Sequence, residues 1–582
     1  MNTQPPSPKR ANSLFHFYVN KSTRVIGLAA LLLVSLQVNA QVSPFRYRIQ
    51  KKVVARNGVV VSAHALASKA GTDMLRKGGN AVDAAIATQW ALAVVYPGAG
   101  NIGGGGFMVA VFRDGRKIAL DYRETAPVKA GRDMYIDSNG KAQPQLAQDG
   151  HLAAGVPGTV AGLFASLPYA RLPMRVLMVP AIELAEKGFV LTKEQADDFN
   201  EYTDDFRRFN SAPVAFVRPG GWKAGDTLVQ PELAATMKRI SQLGAEGFYK
   251  GETARLIAAE MNRCGGLIDP EDLARYKAVN RKPVRFFYRG HEIVSMPLPS
   301  SGGILLQQML GMIEDHPIHG YPFHSSQQVQ LMVEAERRAF ADRAAFLGDA
   351  DFVPVPVRGL GSKKYLRERM RDFVPGTAGN SRQTGAGIPP ESEETTHLSV
   401  VDRWGNAVAV TTTLNGHFGS RVVVAGAGFI LNNEMDDFSI QPGLPNMYGA
   451  IGNDKNAIAP GKRMLSSMTP TLVLRSGKPF LCLGTPGGTT IPTSVFQTLV
   501  NIIDYKLSPE EAVNRPKFHH QWLPDVLFVE EEFEAATILQ LEEMGYSVRR
   551  RGPIGRTELI QISGKNRIGI ADKRGEDDAE GY

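Results

Sequence analysis

Apolar positions along the chain repeat with two spacings, one typical of helices and one typical of strands. The strongest helical pattern begins after Asn80 and ends at Pro97, and Asp83 stands where it completes a capping pair with Asn80. Apolar residues recur at helical spacing through residues 150–375, so we predict a mostly helical region whose charged residues lie on solvated faces or in intrahelical pairs. Short strand patterns occupy 107–112, 117–120, 429–433, 471–474 and 480–483.

A β-hairpin is predicted where two strand patterns flank a short turn. The run 395–401 (TTHLSVV) enters a turn centred on Trp404, and 407–415 (AVAVTTTLN) returns from it. In this register the numbers of opposed residues sum to 808, so Thr395 faces Thr413. Opposed Cβ atoms of an antiparallel pair lie about 5 Å apart. A second threonine hydroxyl is therefore expected beside Thr395, although the strand propensity of threonine alone could produce such a pair.

Composition excludes some classes of function. The chain has 582 residues, an apolar fraction of 43% and a net charge of +8. Four of those charges lie within residues 1–40, which contain no acidic residue, and no other basic run resembles a phosphate-tracking patch. We therefore expect no nucleic-acid partner.

The N-terminal segment has the pattern of a secretory signal peptide. Basic residues precede the apolar run 25–36 (VIGLAALLLVSL), which is too short for a comfortable membrane span, and Val38 and Ala40 form a small-residue cleavage pattern. We predict cleavage after Ala40 and a secreted or periplasmic protein with no stable membrane span. The alternative is an uncleaved anchor.

Three other motifs receive structural interpretations. The glycine-rich segment 98–106 contains G-x-G-x-x-G but follows a helix and opens a strand, which is the wrong order for a dinucleotide site and indicates a backbone packed too closely for side chains. The turn 297–303 (PLPSSGG) should cap a following helix with its serines. The pair at 519–520 (HH) is interpreted as structural, because adjacent strand residues point in opposite directions.

The two cysteines offer no metal site. Cys264 follows a helical pattern and Cys482 stands within an apolar strand, so we expect two unpaired thiols. We predict neither a metal nor another cofactor.

The run TTHLSVVD followed by DRWGNAVAVTTTLN resembles the start of the small subunit of the γ-glutamyltranspeptidases, also called glutathione hydrolases, which are N-terminal nucleophile hydrolases. The resemblance extends from about residue 54 to Tyr582 and includes EAERRAFADRAAFLGDADFV and FHHQWLPD. It implies an α+β fold, a four-layer αββα sandwich formed by both fragments of one precursor. It also implies cleavage between Glu394 and Thr395 into a large subunit, 41–394, and a small subunit, 395–582.

The resemblance also implies roles for individual residues. The freed Thr395 would be the nucleophile, oriented by Thr413, and the backbone N–H groups of Gly487 and Gly488 would stabilise the oxyanion. A Thr hydroxyl is a poor nucleophile within a chain, but at an N-terminus its own amine, with a pKa of ~7.7–8.0, can act as the base. The remaining family positions are Asn415, Glu434 and Asp437 for the substrate α-amino group, Arg123, Ser466 and Ser467 for its α-carboxylate, and Tyr448 as a lid.

The implied substrates are γ-glutamyl compounds such as glutathione, whose acyl group passes to water or to amino acids and dipeptides. Two alternatives stay open at the level of sequence. One is a related acylase, of the cephalosporin or poly-γ-glutamate type, with the same maturation. The other is a non-catalytic periplasmic protein that binds γ-glutamyl groups.

Overall fold

The computed structural model describes Met1, residues 43–384, residues 396–441, Met447 and residues 453–582. The predicted leader, the cleavage pair Glu394 and Thr395, and the lid residue Tyr448 lie outside the described residues. Residues 44–582 form one compact unit. Within the described part of the chain, no helix combines the length and apolar character needed to cross a bilayer.

The strands run throughout the chain. In chain order they are β1 (Lys52–Ala55), β2 (Val59–Ser62), β3 (Gly105–Val111), β4 (Lys117–Asp121), β5 (Phe189–Val190), β6 (Thr227–Leu228), β7 (Val279–Arg281), β8 (Val284–Tyr288), β9 (His291–Ser295), β10 (Thr396–Val401), β11 (Ala407–Thr413), β12 (Thr471–Arg475), β13 (Lys478–Gly484), β14 (Phe518–His519), β15 (Leu527–Glu530), β16 (Val548–Arg551), β17 (Glu558–Ser563), β18 (Asn566–Ile570) and β19 (Asp578–Gly581).

Helices fill the stretches between them. They are α1 (Ala65–Arg76), α2 (Ala81–Val95), α3 (Gln145–Gln148), α4 (Thr159–Ser166), α5 (Met174–Leu177), α6 (Val179–Lys187), α7 (Lys193–Glu201), α8 (Thr203–Phe209), α9 (Pro231–Leu243), α10 (Glu246–Tyr249), α11 (Gly251–Arg263), α12 (Pro270–Arg275), α13 (Gly302–Ile313), α14 (Ser326–Phe346), α15 (Val357–Leu360), α16 (Lys363–Arg369), α17 (Thr490–Ile503), α18 (Pro509–Asn514) and α19 (Ala535–Glu543). Short 3₁₀ turns occupy His151–Ala153, Leu167–Tyr169, Ile318–Gly320, Glu434–Asp437 and Asp454–Asn456.

Two antiparallel seven-stranded sheets form the centre of the molecule. Sheet I has the order β1-β18-β17-β13-β12-β9-β8, and sheet II has the order β19-β2-β10-β11-β3-β4-β7. Apolar residues from both sheets, including Val109, Ala409, Leu472 and Ile560, form one buried cluster between them. The outer face of sheet I is covered by α13, α14 and α17, whereas α1 and α2 contact strands of sheet II. The result is the predicted four-layer αββα sandwich.

The predicted hairpin is present in the predicted register. Thr396 pairs with Thr412, His397 with Thr411, and the pairing continues to Val401 opposite Ala407. Gly405 in the turn has φ of 88°, in the left-handed region that glycine adopts at little cost. The expected pairing of Thr395 with Thr413 lies outside the described residues.

The helix pattern near the N-terminus is also confirmed. Asn80 caps α2, and its side chain and that of Asp83 form a reciprocal capping box. Every residue of α2 is buried, which explains why its sequence is apolar on all sides.

Three sequence expectations are wrong in whole or in part. Residues 429–433 do not form a strand; Ile430 makes a single bridge to Val423. The mostly helical region 150–375 also contains the hairpin of β8 and β9, which completes sheet I. Its charged residues are not all on solvated faces, because α14 buries Glu334, Glu336, Arg337, Arg338, Asp342 and Arg343.

The serines of the turn 297–303 cap the following helix only in part. Ser300 Oγ accepts from the Gly302 N–H at 3.1 Å. Ser301, at the N-cap position of α13, makes no capping bond with its side chain.

Candidate active site

The glycine-rich segment 98–106 packs against the end of β11. A Cβ atom on Gly104 would lie 2.1 Å from the Thr413 carbonyl oxygen. Asn101, within the same segment, donates from Nδ2 to that carbonyl oxygen at 2.7 Å. The prediction of a backbone packed too closely for side chains is thus confirmed. The packing fixes the position of Thr413.

The Thr413 hydroxyl links β11 to the residues that follow it. It accepts a hydrogen bond from the Asn415 N–H at 2.7 Å. Burial raises the pKa of the nearby Glu434, and the Thr413 hydroxyl opposes that shift. Asn415 has φ of 74°, and its Nδ2 donates to the Asn433 carbonyl oxygen at 3.1 Å. Thr413 and Asn415 are therefore directly linked, and the Glu434 carboxyl group lies next to the Thr413 hydroxyl.

His397 is the histidine nearest to the start of β10, but its position does not suit proton transfer. It lies between the two sheets, hydrogen-bonded to Thr411 at 3.0 Å and Ser399 at 3.2 Å. Burial lowers the pKa of His397 to about 3, so the ring is neutral at physiological pH. Its ring fills space left open by Gly484, where a Cβ would lie 2.3 Å from an imidazole carbon.

A buried arginine with three acidic neighbours lies at the end of β4. The Arg123 side chain is only 1% exposed and forms ion pairs with Glu434 and Asp437 through separate guanidinium nitrogens. Glu124 lies 3.7 Å from the same guanidinium group. The structure therefore brings the predicted carboxylate-binding arginine into direct contact with two predicted ammonium-binding acids.

Burial and the neighbouring opposite charges shift the pKa values of the residues in this cluster in opposite directions. Burial raises the pKa of Glu124 to about 8, against the lowering effect of Arg123. It also raises the pKa values of Glu434 and Asp437, again opposed by Arg123. For Arg123 itself burial lowers the pKa, but the three carboxyl groups outweigh it and raise the pKa overall. The arginine thus stays charged, and the carboxyl groups hold protons more readily than they would in water.

The predicted serine pair is held by residues from α14 and the turn before α13. Ser301 donates from Oγ to the Ser466 carbonyl oxygen at 2.7 Å. Arg343 donates to Ser301 Oγ at 3.1 Å and to Ser467 Oγ at 3.3 Å. Burial lowers the pKa of Arg343 to about 10, and the charge of Asp437 opposes this shift. Arg343 is therefore a second cation close to the Arg123 cluster.

The two glycines predicted to stabilise an oxyanion precede α17. Gly487 has φ of 126° and Gly488 has φ of 52°. A Cβ on Gly487 would lie 2.4 Å from Thr490 Oγ1 and 3.3 Å from Gly555 Cα. Both the backbone conformation and the close neighbours therefore require glycine at 487.

The FHHQW motif, residues 518–522, supports the loop that contains Gly487 and Gly488, which we call the glycine loop. Thr489 donates from Oγ1 to Gln521 Oε1 at 2.7 Å, and His519 Nε2 lies 2.7 Å from the same oxygen. His519 Nδ1 lies 2.9 Å from Thr493 Oγ1. Burial lowers the pKa of His519 to about 3, so a neutral ring bridges the loop and the helix. The interpretation of His519 as structural fits this position.

The other histidine of the motif points elsewhere. The His520 ring contacts Asp525 through Nε2 at 3.2 Å, and the His520 backbone N–H donates to the buried Glu336 at 2.9 Å. Among the described residues, no cluster of histidine, cysteine and acidic side chains could hold a metal ion. Both cysteines are thiols, with Cys264 exposed and Cys482 buried.

Met447 is the described residue closest in sequence to the predicted lid position. Its sulfur lies 3.9 Å from Asn415 Nδ2 and 3.6 Å from Asn433 Nδ2. Its N–H donates to both carboxylate oxygens of Asp436, at 3.2 and 3.1 Å. Met447 therefore lies against Asn415, Asn433 and Asp436.

Three residues that position this site were not predicted from the sequence: Asn101, Arg343 and Gln521. Arg343 could have been found from its surroundings, because the run AFADRAAF is apolar on all faces of a helix and predicts burial of any charge within it. No comparable pattern marks Asn101 or Gln521.

The chain is similar in sequence and in fold to known proteins. Residues 67–582 match the family described as gamma-glutamyltranspeptidase. The chain is 44% identical over 568 residues to the glutathione hydrolase proenzyme of Escherichia coli (strain K12), covering 95% of this chain and 98% of that protein.

Two solved structures are similar in fold. The cephalosporin acylase from Bacillus halodurans superposes with a TM-score of 0.80 at 26% identity, covering 94% of this chain and 99% of that one. A chain of the Helicobacter pylori gamma-glutamyltranspeptidase gives a TM-score of 0.55 at 45% identity, covering 56% of this chain and 94% of that one. The match over residues 67–582 and the identity to full-length relatives establish that the chain belongs to the γ-glutamyltranspeptidase family.

Proposed function

We propose that the chain is the precursor of a two-fragment γ-glutamyltranspeptidase that cuts itself between Glu394 and Thr395. The mature enzyme then hydrolyses glutathione and related γ-glutamyl amides or transfers their acyl group. Family membership supports the activity. One feature of the site carries the substrate assignment: the buried contact of Arg123 with Glu434 and Asp437. These residues supply both charges that the free α-carboxylate and α-ammonium of a glutamyl group require.

Cleavage produces the catalytic N-terminal threonine, Thr395. Thr395 Oγ attacks the Glu394 carbonyl carbon, the acyl group moves from nitrogen to oxygen, and water hydrolyses the resulting ester. The freed α-amine of Thr395 then takes the hydroxyl proton during each turnover. The neutral, buried His397 has no part in this proton transfer.

The first half-reaction forms an ester. Thr395 Oγ attacks the γ-carbonyl carbon of the donor, and the amide C–N bond breaks. The leaving amine, such as that of Cys-Gly, departs with the proton. The N–H groups of Gly487 and Gly488 stabilise the oxyanion between these steps, a contribution for which one missing donor typically costs ~10²–10³ in rate.

The charged residues select the donor. A substrate α-carboxylate reaches Arg123 by displacing the carboxylate of Glu434 or Asp437, and the displaced acid then becomes available to the neighbouring α-ammonium. Ser466 and Ser467 complete the carboxylate site, with Arg343 as the cation that holds Ser467. Asn415 joins the ammonium side, and Tyr448 covers the pocket.

An acylase of the cephalosporin type is the closest rival, because such an acylase has a similar fold. A glutaryl group lacks the free α-ammonium of a glutamyl group, so two buried acids beside Arg123 would have no partner in a glutaryl substrate. We therefore expect a γ-glutamyl anilide to be cleaved and a glutaryl anilide to be a poor substrate. Equal rates on the two anilides would favour the acylase.

The location and the partners follow from the same proposal. The predicted leader is removed after Ala40, and the protein acts in the periplasm or outside the cell. The large subunit, 41–394, and the small subunit, 395–582, stay together as a heterodimer. The acyl acceptors are water, amino acids and dipeptides.

Thr395→Ala tests the central step. We expect this variant to run as one uncut chain on denaturing electrophoresis and to lack activity on γ-glutamyl anilide, because the hydroxyl and the new N-terminus are both lost. The wild-type protein should run as two bands, with N-terminal sequencing of the smaller band starting at Thr395. A binding protein without catalysis would run as a single band in both forms.

Thr396→Val is the matched control. The adjacent Thr396 is buried, and its hydroxyl has no hydrogen-bond partner in the described part of the chain, so the isosteric change should leave cleavage and activity intact. A Thr395→Ala protein that is cut and active would reject the proposal.

A further inference from the structure

A group of positive charges lies at the end of the sandwich away from the candidate active site. β10 has six residues and runs from Thr396, next to the predicted nucleophile, towards the turn 402–406, so it spans about 20 Å. The turn between β1 and β2 reaches the same end, because Val401 pairs with Val59. This end of the molecule therefore lies outside the proposed chemistry.

One buried arginine holds several turns together at this end. Arg567 is only 8% exposed, and its guanidinium group donates to the carbonyl oxygens of Asp402 at 2.9 Å and Arg403 at 3.2 Å. It also donates to the carbonyl oxygens of Arg56 at 2.6 Å and Lys565 at 3.1 Å. These bonds bring three exposed cationic residues, Arg56, Arg403 and Lys565, to one place.

A tryptophan flanked by two arginines extends this group. The guanidinium carbon of Arg171 lies 4.5 Å from the centre of the Trp404 ring, and that of Arg403 lies 4.4 Å from it. Trp404 is partly exposed, and both arginines are exposed. We call the group formed by Arg56, Arg171, Arg403, Lys565 and Trp404 the basic patch.

The four cations of the basic patch have no acidic partner among the residues that the structure describes. Acidic groups at this end of the molecule are already used in other contacts. Asp402 accepts hydrogen bonds from backbone N–H groups of its own turn, and Asp73 and Glu580 both pair with Arg76. The patch therefore presents uncompensated positive charge to the solvent, where it attracts anions.

We propose that the basic patch binds the surface of a membrane that contains anionic phospholipids. Guanidinium groups bind phosphate oxygens through paired N–H donors, and an indole ring is favoured at the level of the lipid headgroups. The four cations come from four separate segments of the chain, and this spread suits a plane of many phosphates better than a single phosphate.

The membrane contact goes beyond the proposed activity and uses only the proposed location. A protein that acts in the periplasm or outside the cell meets membrane surfaces there. Binding through the basic patch leaves the other end of β10, where the candidate active site lies, open to small substrates.

Cosedimentation with lipid vesicles tests this contact. The probe vesicles contain phosphatidylglycerol and phosphatidylcholine in equal parts, and the reference vesicles contain phosphatidylcholine alone. The protein begins at Gln41, so the predicted leader is not present. We expect binding to the anionic vesicles only, and we expect added salt to weaken it, because the attraction falls off within a Debye length.

The double variant Arg171→Gln, Arg403→Gln removes two charges of the patch. Each cation near an anionic surface strengthens binding roughly fivefold, so binding to the anionic vesicles should weaken roughly 25-fold. The matched control Arg358→Gln, Arg549→Gln removes two exposed arginines outside the patch and should bind as the wild type does. Both double variants should cleave a γ-glutamyl anilide at the wild-type rate, which shows that they are folded.

Tryptophan fluorescence locates the contact on the protein. The chain has four tryptophans, of which Trp404 is partly exposed, whereas Trp90, Trp222 and Trp522 are buried. Anionic vesicles with brominated acyl chains should therefore quench the emission of Trp404, and Trp404→Phe should lose the quenched component.

Several results would overturn the membrane contact. These are equal vesicle binding by the patch variant and its control, equal binding to anionic and neutral vesicles, and vesicle binding that leaves Trp404 unquenched. Binding of soluble polyphosphate through the patch, without binding to vesicles, would also overturn it and would assign the patch to a soluble anion. Because vesicle binding needs no self-cleavage, failure of the membrane contact is distinguishable from failure of the proposed function.

Discussion

Arg343 lies where α14 meets the loop that holds Ser467. It is 5% exposed, donates to Ser301 and Ser467, and acts on Asp437 through its charge. Arg343→Met should therefore raise the KM for the γ-glutamyl donor, because Ser467 loses its support and Asp437 loses a balancing charge. Hydrogen bonds to charged groups are worth ~1.5–3 kcal/mol, so we expect roughly a 10- to 100-fold rise.

Steady-state kinetics with a γ-glutamyl anilide measures this effect. Arg343→Lys keeps the charge and should recover part of the donor affinity, whereas Arg358→Met changes an arginine outside the site and should behave as the wild type. An unchanged KM in a folded and processed Arg343→Met enzyme would exclude the positioning role.

The sequence predicted which residues belong to the candidate site, but not how they pair. The order of Arg123, Glu434 and Asp437 along the chain, with the motifs around them, marks them as a binding set. The direct contact of Arg123 with both acids depends on how β4 and the turn Glu434–Asp437 pack together, and no local pattern encodes that. The burial of Arg343 was predictable from its apolar surroundings, but its partners Ser301 and Ser467 lie on two distant segments and were not.

At the scale of elements, the glycine loop depends on a hydrogen-bond relay through Thr489, Gln521 and His519. Gln521→Leu removes the acceptor that both Thr489 and His519 use. We expect kcat to fall, with little change in donor KM, because the loop supplies oxyanion donors and does not hold the glutamyl end. The fall should stay below the ~10²–10³ that follows loss of an oxyanion donor.

Separate measurements of kcat and donor KM for Gln521→Leu test whether these hydrogen bonds serve the glycine loop. Gln521→Glu keeps an accepting oxygen at the same position and should restore part of kcat. A melting temperature close to that of the wild type would show that the loss is local. Equal effects of Gln521→Leu on kcat and on donor KM would argue against a relay that serves the loop alone.

Elements with a strong local signal were predictable and those set by long-range packing were not. The length of the turn at 402–406 fixed the hairpin register, and all six described pairs follow it. The hairpin of β8 and β9 was missed, although Arg289 and Gly290 form a two-residue turn with φ of 46° and 76° that its sequence could have suggested. The apolar content of residues 429–433 predicted a strand. Among the described residues only Ile430 forms a bridge, to Val423, because apolar content alone does not supply a neighbouring strand.

At the scale of the whole molecule, the predicted cut lies between strands that share the same sheets. The fragment before residue 395 holds β1–β9, and the fragment after it holds β10–β19. In the described part of the chain, neighbouring strands from different fragments meet in five ladders: β1 with β18, β9 with β12, β2 with β19, β2 with β10, and β3 with β11. Neither sheet can therefore be completed by one fragment.

This arrangement predicts that the two fragments remain associated after cleavage and separate only on unfolding. The buried cluster between the sheets draws residues from both fragments, for example Val109 and Ala409, and a cut in one peptide bond leaves all of these contacts in place. The processed enzyme should thus elute in gel filtration at the mass of the intact chain, while denaturing electrophoresis gives two bands. Fragments 41–394 and 395–582 expressed separately should each fail to fold stably, since each would expose unpaired strand edges. Recovery of a soluble, monomeric 395–582 fragment with cooperative unfolding would contradict a core shared by the two fragments. A processed Thr396→Val enzyme that behaves like the wild type in gel filtration would confirm that the association does not depend on the first residues of β10.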